Sequence, residues 1–521
     1  MVVRIQLIWQ RVLIRINWSM WWFSVMAVEY VVVLGLIGVF ELWQWVHQWV
    51  CFGVFREALI PCTKQEFSAN LRRKRMVSLK ASNMVRLEGP APRELMYLSE
   101  FDQVIAITHA PTVYFYRPNS DYLLLNPIEI LKNSLSKALT IFYPLAGCLQ
   151  WTERGRLELN CNSMGALFLE TESEATINDF GDFTPTAEMR ALIPSVDYDK
   201  PINEIALLLV QVTKFSCGGV SLGLGISHVV ADGRCAAHFV SEWARIARGE
   251  EPENLPFLDR TILKLEEDVT PPRFDHLEFG KLPILIGQLN NLEQHNKETI
   301  VVMLKMSKEQ IQSLKNEANK FRNVDYSNKP FTRYEVVTAH MWRCASKARL
   351  HESEQLTSMR VAMGFHNRMV PPLPKGYFGN AYLPVRATTT TGELLSKPLG
   401  YGCSKIREAI EKVTDEYVRS SLAYLKREED LSEFRYFHVV GSTQGAFLGN
   451  PNIAITSWIG LPLFGVDFGW GKEIYMGPGA IGHDGKSFIL PSRDEDGSFD
   501  VPIRLQVEHM DAFKKYFYEH I

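Results

Sequence analysis

The chain has 521 residues and a formal net charge of −3, with 46% hydrophobic and 22% charged residues. This composition is typical of a globular protein with room for two domains, and the balanced charge gives no indication of a nucleic-acid partner. The eight cysteines include no C-x-x-C pair and no metal-ligand spacing. Reduced thiols in a cytosolic protein are therefore favoured, and no metal site is predicted.

Residues 1–75 differ from the rest of the chain. The segment 20–40 is apolar, has tryptophans on both sides and is long enough to span a bilayer, although Glu29 lies near its middle. If it spans, the basic run 72–75 predicts that the C-terminal body faces the cytosol. Met76 opens a stretch that looks like a natural start. We therefore favour an over-extended gene model for 1–75, with a membrane anchor as the alternative.

The body alternates predicted strands and helices without a nucleotide-binding fingerprint, which favours an α/β fold. A hairpin is predicted around residues 216–218, and one helix is predicted to end at Gly249. The predicted strands are 112–116, 205–215, 219–226 and 300–304, and the predicted helices are 128–139, 239–247, 308–318 and 334–350. A Pro- and Glu-rich linker, 251–298, separates the predicted domains 76–250 and 299–521.

A histidine and an aspartate follow the predicted strand that ends at Ile226. His228 and Asp232, with Gly233 after them, form an H-x-x-x-D-G motif. An imidazole titrates near neutrality, so His228 is a candidate general base. Asp232 is expected to orient the loop or to cap the next helix. The motif alone is equally compatible with a buried histidine that has only structural contacts.

A second motif lies near the C-terminus. It consists of Asp467, Phe468, Gly469, Trp470 and Gly471. Two glycines around an aromatic residue predict a rigid loop. For Asp467 a structural ion pair without proton transfer is favoured.

In this order and at this separation, the two motifs resemble those of the plant BAHD acyltransferase family. Further matches lie at 143–147, 377–380 and 456–458. The resemblance covers 76–521 and implies two pseudo-equivalent α/β domains, similar to chloramphenicol acetyltransferase, around a central solvent channel. It also implies a monomer with no bound cofactor, which uses an acyl-CoA as co-substrate and transfers the acyl group directly.

The resemblance also implies roles for individual residues. His228 would be the general base, and Asp232 would be structural and point away from the substrate. Thr456 and Trp458 would lie near the developing oxyanion. The acyl pocket would include His109, Thr112 and Tyr114, with an ordinary core-strand role for Thr112 and Tyr114 as the less favoured alternative.

The acceptor is predicted from the branch of the family that the chain resembles most, the spermidine hydroxycinnamoyl transferases. That branch implies transfer of a hydroxycinnamoyl group to a polyamine. Relatives that acylate shikimate or quinate carry an arginine where this chain has Gly460, and an arginine fork suits a carboxylate. The alternative is O-acylation of an alcohol such as shikimate or quinate.

One segment departs from the family pattern. Gly364 and His366 stand where many relatives have Asp and Arg. In the family an arginine from this region or nearby is thought to pair with the motif aspartate, here Asp232. Arg368 or a protonated His366 is expected to compensate. If neither does, a non-catalytic member of the family becomes the further alternative.

Overall fold

The fold is taken from a computed structural model that describes residues 77–118, 127–266, 271–290, 292–320, 329–435 and 449–519. These residues belong to one compact unit, Lys74–Ile521. The extension 1–75, with its predicted membrane segment, lies outside the described residues. Within the described part of the chain, no helix combines the length and the apolar character needed to cross a bilayer.

The strands of the described residues are β1 (Ser78–Val85), β2 (Leu95–Met96), β3 (His109–Tyr116), β4 (Cys148–Trp151), β5 (Leu157–Asn160), β6 (Ala166–Ser173), β7 (Leu208–Phe215), β8 (Val220–Ser227), β9 (Thr299–Met306), β10 (Leu356–Gly364), β11 (Tyr382–Thr390), β12 (Ile453–Ser457), β13 (Tyr475–Pro478), β14 (Lys486–Pro491) and β15 (Phe499–Gln506). The helices are α1 (Glu100–Gln103), α2 (Pro127–Ile141), α3 (Ala187–Arg190), α4 (Gly233–Ala247), α5 (Leu292–His295), α6 (Lys308–Lys320), α7 (Arg333–Ala348), α8 (Thr391–Ser396), α9 (Leu399–Glu411), α10 (Asp415–Arg427), α11 (Ser432–Arg435) and α12 (Val507–Tyr518).

The first large sheet has the strand order β1-β6-β7-β8-β3-β13. Its residues share a hydrophobic core with α2 and α4. Trp243 on α4 is fully buried, and its indole N–H donates to Ser134 Oγ on α2 at 3.0 Å. Because the indole N–H has this partner, the large side chain is buried without leaving a donor unsatisfied.

The second large sheet has the order β11-β10-β12-β14-β15-β9. Its core is shared with several helices, including α6, α7, α9 and α12. Trp342 on α7 is fully buried and donates to Thr357 Oγ1 on β10 at 3.0 Å. The two sheets are thus stabilised in a similar way, by a helix that carries a buried tryptophan. The short strands β2, β5 and β4 form a separate three-stranded sheet.

The predicted elements are confirmed, with shifted bounds. The strand predicted at 112–116 begins at His109, because β3 stays paired with β8 as far as Ser227. The predicted hairpin is the antiparallel pair β7–β8. Its first strand does not begin at Ile205 as predicted, because 202–204 form a short 3-10 helix.

The predicted linker 251–298 holds only short helices among its described residues, at 260–263, 277–279 and 292–295. Phe257 in this segment makes a single bridge to Tyr377. From the C-terminal part of the chain, β13 joins the first sheet by pairing with β3. The domain bounds 76–250 and 299–521 therefore remain a prediction, because the sheets do not follow the chain order strictly.

Candidate active site

His228 lies directly after β8, where the chain turns towards α4. Its backbone N–H donates to the Thr108 carbonyl oxygen at 2.8 Å. Asn380 Nδ2 donates to the His228 carbonyl oxygen at 2.9 Å. Both contacts use the backbone of His228, so the loop is positioned without using the imidazole.

A cavity of about 1140 Å³ lies beside His228 and has walls from both large sheets. Small-molecule pockets are commonly about 300–1,000 Å³, so this cavity has room for two substrates. His228 and Asp232 line it from the first half of the molecule, and Thr456 and Trp458 line it from the second. The structure therefore brings together residues from two segments that are far apart in the chain.

His228 is only partly buried and lines the cavity. The Nδ1 atom of the imidazole is buried and has no hydrogen-bond partner among the described residues. The edge of the ring that carries Nε2 is therefore the one exposed to the cavity. Burial lowers the pKa of this imidazole below its ordinary value of 6.5, while the negative charge of Asp232 opposes the shift. The ring is therefore neutral near pH 7, the form that can accept a proton.

Asp232 is the N-cap of α4, as the sequence predicted. Its Oδ1 atom accepts from the backbone N–H groups of Arg234 (3.0 Å) and Cys235 (2.9 Å), and Oδ2 accepts from that of Ala381 (3.2 Å). Both carboxylate oxygens are thus engaged by the backbone. The residue fixes the start of the helix and ties it to the second half of the molecule.

A buried ion pair below the His228 loop could not be found from the sequence. Arg260 Nη1 lies 3.2 Å from Asp102 Oδ2, and both side chains are fully buried. Arg260 Nη2 also donates to the Val230 carbonyl oxygen at 2.7 Å, while Asp102 Oδ1 accepts from Asn380 Nδ2 at 2.8 Å. Because Asn380 also binds the His228 backbone, this network holds the loop in place.

The expected partners of Asp232 are not the ones that the structure provides. Arg368 Nη1 instead donates to the carbonyl oxygens of Ile410 (2.8 Å) and Val413 (3.0 Å). His366 lies near Asp232, but burial lowers the pKa of its imidazole despite the opposing charge of Asp232. A neutral His366 cannot serve as the missing cation. The predicted compensation is thus wrong, and backbone N–H groups satisfy Asp232 instead.

The region predicted to lie near the oxyanion does line the cavity. Thr456 Oγ1 accepts from Lys486 Nζ at 2.6 Å, and the Trp458 ring lies 4.9 Å from that of Phe488. Gly460 also lines the cavity, and a Cβ atom added there would meet no atom within 4 Å. The side chain missing at Gly460 therefore leaves open space.

The predicted acyl pocket is only partly formed by the expected residues. Thr112 and His109 line the cavity, and the His109 ring nitrogens contact Tyr198 Oη (3.1 Å) and the Ala206 carbonyl oxygen (2.8 Å). Burial lowers the pKa of His109 to about 4. Tyr114 was assigned wrongly, because its side chain is fully buried in the core shared with α2 and α4.

The loop Asp467–Gly471 lies at the far end of α4 from His228. Asp467 Oδ1 accepts from the backbone N–H groups of Gly469 (2.7 Å) and Gly471 (2.9 Å). These glycines have φ angles of 96° and 85°, a region that favours glycine. Arg248, which follows α4, donates to the backbone carbonyl of Asp467. The carboxylate therefore folds its own loop, and its charge also acts on the Arg248 guanidinium. The predicted ion pair of Asp467 stays a prediction.

Basic side chains dominate the charged part of the cavity wall. Its one acidic residue among the described lining residues is Asp232. The basic residues are Arg190, Arg234, Arg360, Arg368 and Lys486. Burial and the charge of Arg360 lower the pKa of Lys486 to about 7. The basic character of the cavity wall was not predicted from the sequence. A lysine or arginine at an inward-facing position of a predicted strand could have indicated it.

The chain is similar to known transferases over most of its length. A family model described as "Transferase family" matches residues 75–520. Hydroxycinnamoyl-CoA:piscidic acid hydroxycinnamoyltransferase of Actaea racemosa is 50% identical over 449 residues, which cover 86% of this chain and 100% of that protein. Shikimate O-hydroxycinnamoyltransferase of Nicotiana tabacum is 41% identical over 447 residues, covering 85% and 99%.

The fold also matches solved structures. The crystal structure of F. graminearum TRI101 complexed with coenzyme A and T-2 mycotoxin gives a TM-score of 0.67 at 17% identity, and the match covers 81% of this chain and 97% of that one. This likeness shows the fold. It confirms the prediction of two α/β halves, similar to those of chloramphenicol acetyltransferase, around a central channel.

Proposed function

The chain belongs to the Transferase family of BAHD acyltransferases, and on that premise we propose that it transfers a hydroxycinnamoyl group from coenzyme A to an alcohol, with His228 as the general base. It is an acyltransferase, and an acyl-CoA is its co-substrate. The observation that carries the proposal is a partly exposed imidazole in a cavity lined by both halves of the molecule.

In the proposed reaction, Nε2 of neutral His228 accepts the proton of the acceptor hydroxyl as its oxygen bonds to the thioester carbonyl carbon. The carbonyl electron pair moves onto the carbonyl oxygen and gives a tetrahedral intermediate. This intermediate collapses as the C–S bond breaks, and the imidazolium returns its proton to the leaving sulfur. The products are an ester and free coenzyme A, and His228 is neutral again.

Two side chains are proposed to stabilise the oxyanion. Thr456 Oγ1 already accepts from Lys486, so its own O–H is available to donate to a ligand. The indole of Trp458 lies in the same wall. A preorganised donor aimed at the developing charge contributes about 3–4 kcal/mol in well-studied cases.

For the acyl group we propose the part of the cavity beside β3. The His109 ring contributes wall surface there, since both of its nitrogens already have protein partners. Thr112 Oγ1 then becomes the candidate partner for a phenolic hydroxyl. For the Asp467–Gly471 loop we propose a structural role only.

The charge of the wall supports an alcohol acceptor over the polyamine predicted from the sequence. A polyamine carries several positive charges and needs acidic or aromatic contacts. Of the described lining residues the acidic one is Asp232, and the backbone engages both of its oxygens. The two named relatives support the same choice, because their names specify piscidic acid and shikimate as acceptors.

The departure at Gly364 and His366 does not favour a non-catalytic protein. In the family pattern an arginine would hold the motif aspartate. Here three backbone N–H groups hold Asp232, and the Arg260–Asp102 pair supports the loop next to it. Backbone N–H groups and a buried ion pair therefore hold the His228 loop in the place of that arginine.

Product analysis tests the proposal. The protein is incubated with coumaroyl-CoA and either shikimate or spermidine, and products are identified by mass spectrometry. We expect an ester and stoichiometric release of coenzyme A. An amide of spermidine with no ester would favour the polyamine alternative, and an intact thioester with spermidine and with a panel of alcohols that includes shikimate would favour a non-catalytic protein.

A further inference from the structure

We propose that Lys486 is a positioning residue for the acyl transfer: its amino group holds the Thr456 hydroxyl so that the O–H of Thr456 donates to the oxyanion. The inference rests on the proposed function and adds to it a residue that lies outside both sequence motifs. Lys486 lies on β14 and Thr456 on β12, and both line the cavity.

The register of β12 and β14 directs the Lys486 side chain along the cavity wall. Lys486 pairs with Ala454, and the next pair on the same face is Thr456 with Phe488. Ala454 has no atoms beyond Cβ, so it leaves room for the long side chain opposite. Lys486 therefore extends from its own position along the strand to the pair that contains Thr456.

Two contacts fix the amino group at the end of this side chain. Lys486 Nζ lies 2.6 Å from Thr456 Oγ1 and 4.9 Å from the centre of the Phe488 ring. A cation over an aromatic ring is attracted by the ring electrons. The Phe488 ring lies 4.9 Å from that of Trp458. The amino group is thus placed beside both residues that are proposed to stabilise the oxyanion.

The chemistry of the pair determines which group donates. An ammonium group has three N–H donors and no acceptor, whereas a hydroxyl has one donor and two lone pairs. Thr456 Oγ1 therefore accepts from Lys486, and its own proton has to point away from the lysine. Because Thr456 is partly exposed and lines the cavity, this proton can meet a bound carbonyl oxygen. A donor that is already oriented needs no reorganisation when the negative charge develops, and no proton leaves Lys486.

The charge of Lys486 matters most while the oxyanion exists. Burial and the like charge of Arg360 lower the pKa of Lys486 to about 7, and a negative charge nearby favours the ammonium form. The oxyanion and the ammonium group therefore stabilise each other in the transition state more than in the ground state. Burial also lowers the pKa values of His228 and His483, and the charge of Lys486 adds to both shifts.

A double-mutant cycle tests the inference, with steady-state ester formation from coumaroyl-CoA and shikimate, or another alcohol that the wild-type protein esterifies. Thr456→Val removes the donor and should lower kcat about 100-fold. Lys486→Met leaves the hydroxyl without its fixed orientation and should lower kcat about tenfold, with little change in KM. In the Thr456→Val background, Lys486→Met should have almost no further effect, because the two residues act as one unit.

Control variants separate this role from a general loss of structure. Lys486→Arg keeps the charge and the donors and should retain most of kcat. Lys486→Gln removes the charge with a polar side chain and takes the place of Lys486→Met if that variant does not fold. Lys305→Met should leave kcat unchanged, because Lys305 lies on β9 of the same sheet but is exposed and paired with Asp494. Each variant is compared at its own pH optimum, since the charge at position 486 also acts on His228.

The outcomes distinguish the inference from the proposed function. If Lys486→Met keeps its full effect in the Thr456→Val background, Lys486 acts without Thr456 and the inference is overturned. A change in KM alone would overturn it as well. In both cases the ester is still formed and the proposed function stands. A wild-type protein that esterifies no alcohol of a panel that includes shikimate would instead remove the proposed function, and the inference with it.

Discussion

The two sequence motifs lie at opposite ends of α4, and in each an aspartate accepts hydrogen bonds from backbone N–H groups. Asp232 caps one end beside the cavity, and Asp467 folds a glycine loop at the other. The helix has 15 residues, so the two ends are about 22 Å apart. The two ends differ in what surrounds the aspartate. Only the end with Asp232 has a histidine exposed to a cavity lined by both halves of the molecule. A motif carboxylate therefore indicates a rigid loop, and the cavity determines where chemistry can occur.

The largest expected change in stability comes from the ion pair at the His228 end. Asp102→Asn leaves the buried Arg260 without its charge partner, which should lower the free energy of unfolding by about 3–5 kcal/mol. Urea unfolding followed by tryptophan fluorescence measures this loss. Asp494→Asn is the control, because its pair with Lys305 is exposed and should contribute under about 1 kcal/mol. Equal effects of the two substitutions would contradict the role given to the buried pair.

The two motif carboxylates can then be compared directly. Asp232→Ala and Asp467→Ala each remove acceptors of backbone N–H groups, so each should cost about 1–2 kcal/mol of unfolding free energy. Only Asp232→Ala should also lower kcat, by about tenfold, because only that loop positions His228. Steady-state kinetics at a temperature well below unfolding separates the two effects. A similar loss of kcat in Asp467→Ala would remove the distinction between the two ends.

The smallest expected effect is on the acid side of the pH–rate profile. Burial holds the pKa of His228 below 6.5 and Asp232 opposes that shift, so kcat should fall only as the pH drops below the ordinary histidine range. Asp232→Asn removes a charge that stabilises the imidazolium and should lower this pKa further, which moves the acid limb to lower pH. Asp467→Asn should leave the limb unchanged. Movement of the limb to higher pH in Asp232→Asn would contradict the electrostatic assignment.

Local features of the fold could be predicted from the sequence. The helical stripe that includes Trp243 and the turn between β7 and β8 depend on residues close in the chain, and both were located to within a few residues. The strand start at Ile205 was wrong, because a short apolar run does not reveal where pairing with a neighbouring strand begins.

The site was predictable only where one short segment carries it. His228 and Asp232, the N-cap of α4, belong to one turn, and both were predicted from the sequence. The Arg260–Asp102 pair joins residues far apart in the chain, so no local pattern indicates it. Tyr114 was misassigned because the alternation along β3 shows which residues share a face but not where the cavity ends and the core begins.

The basic residues of the cavity wall show the same limit of sequence-based prediction. Sequence analysis used the absence of an arginine at Gly460 to disfavour acidic acceptors. Arg360 and Lys486 come together only through the pairing of β10, β12 and β14. The charge of a pocket is set by all of its walls, and one position in one loop cannot predict it.

The central claim is that the imidazole of His228 accepts the proton of the acceptor, and His228→Ala tests it most directly. General-base catalysis contributes about 10²–10⁴-fold, so kcat for ester formation from coumaroyl-CoA should fall by at least 100-fold. Because the imidazole does not hold the loop, the thermal unfolding midpoint should change little. A folded His228→Ala protein that keeps more than a tenth of the wild-type kcat would contradict the account.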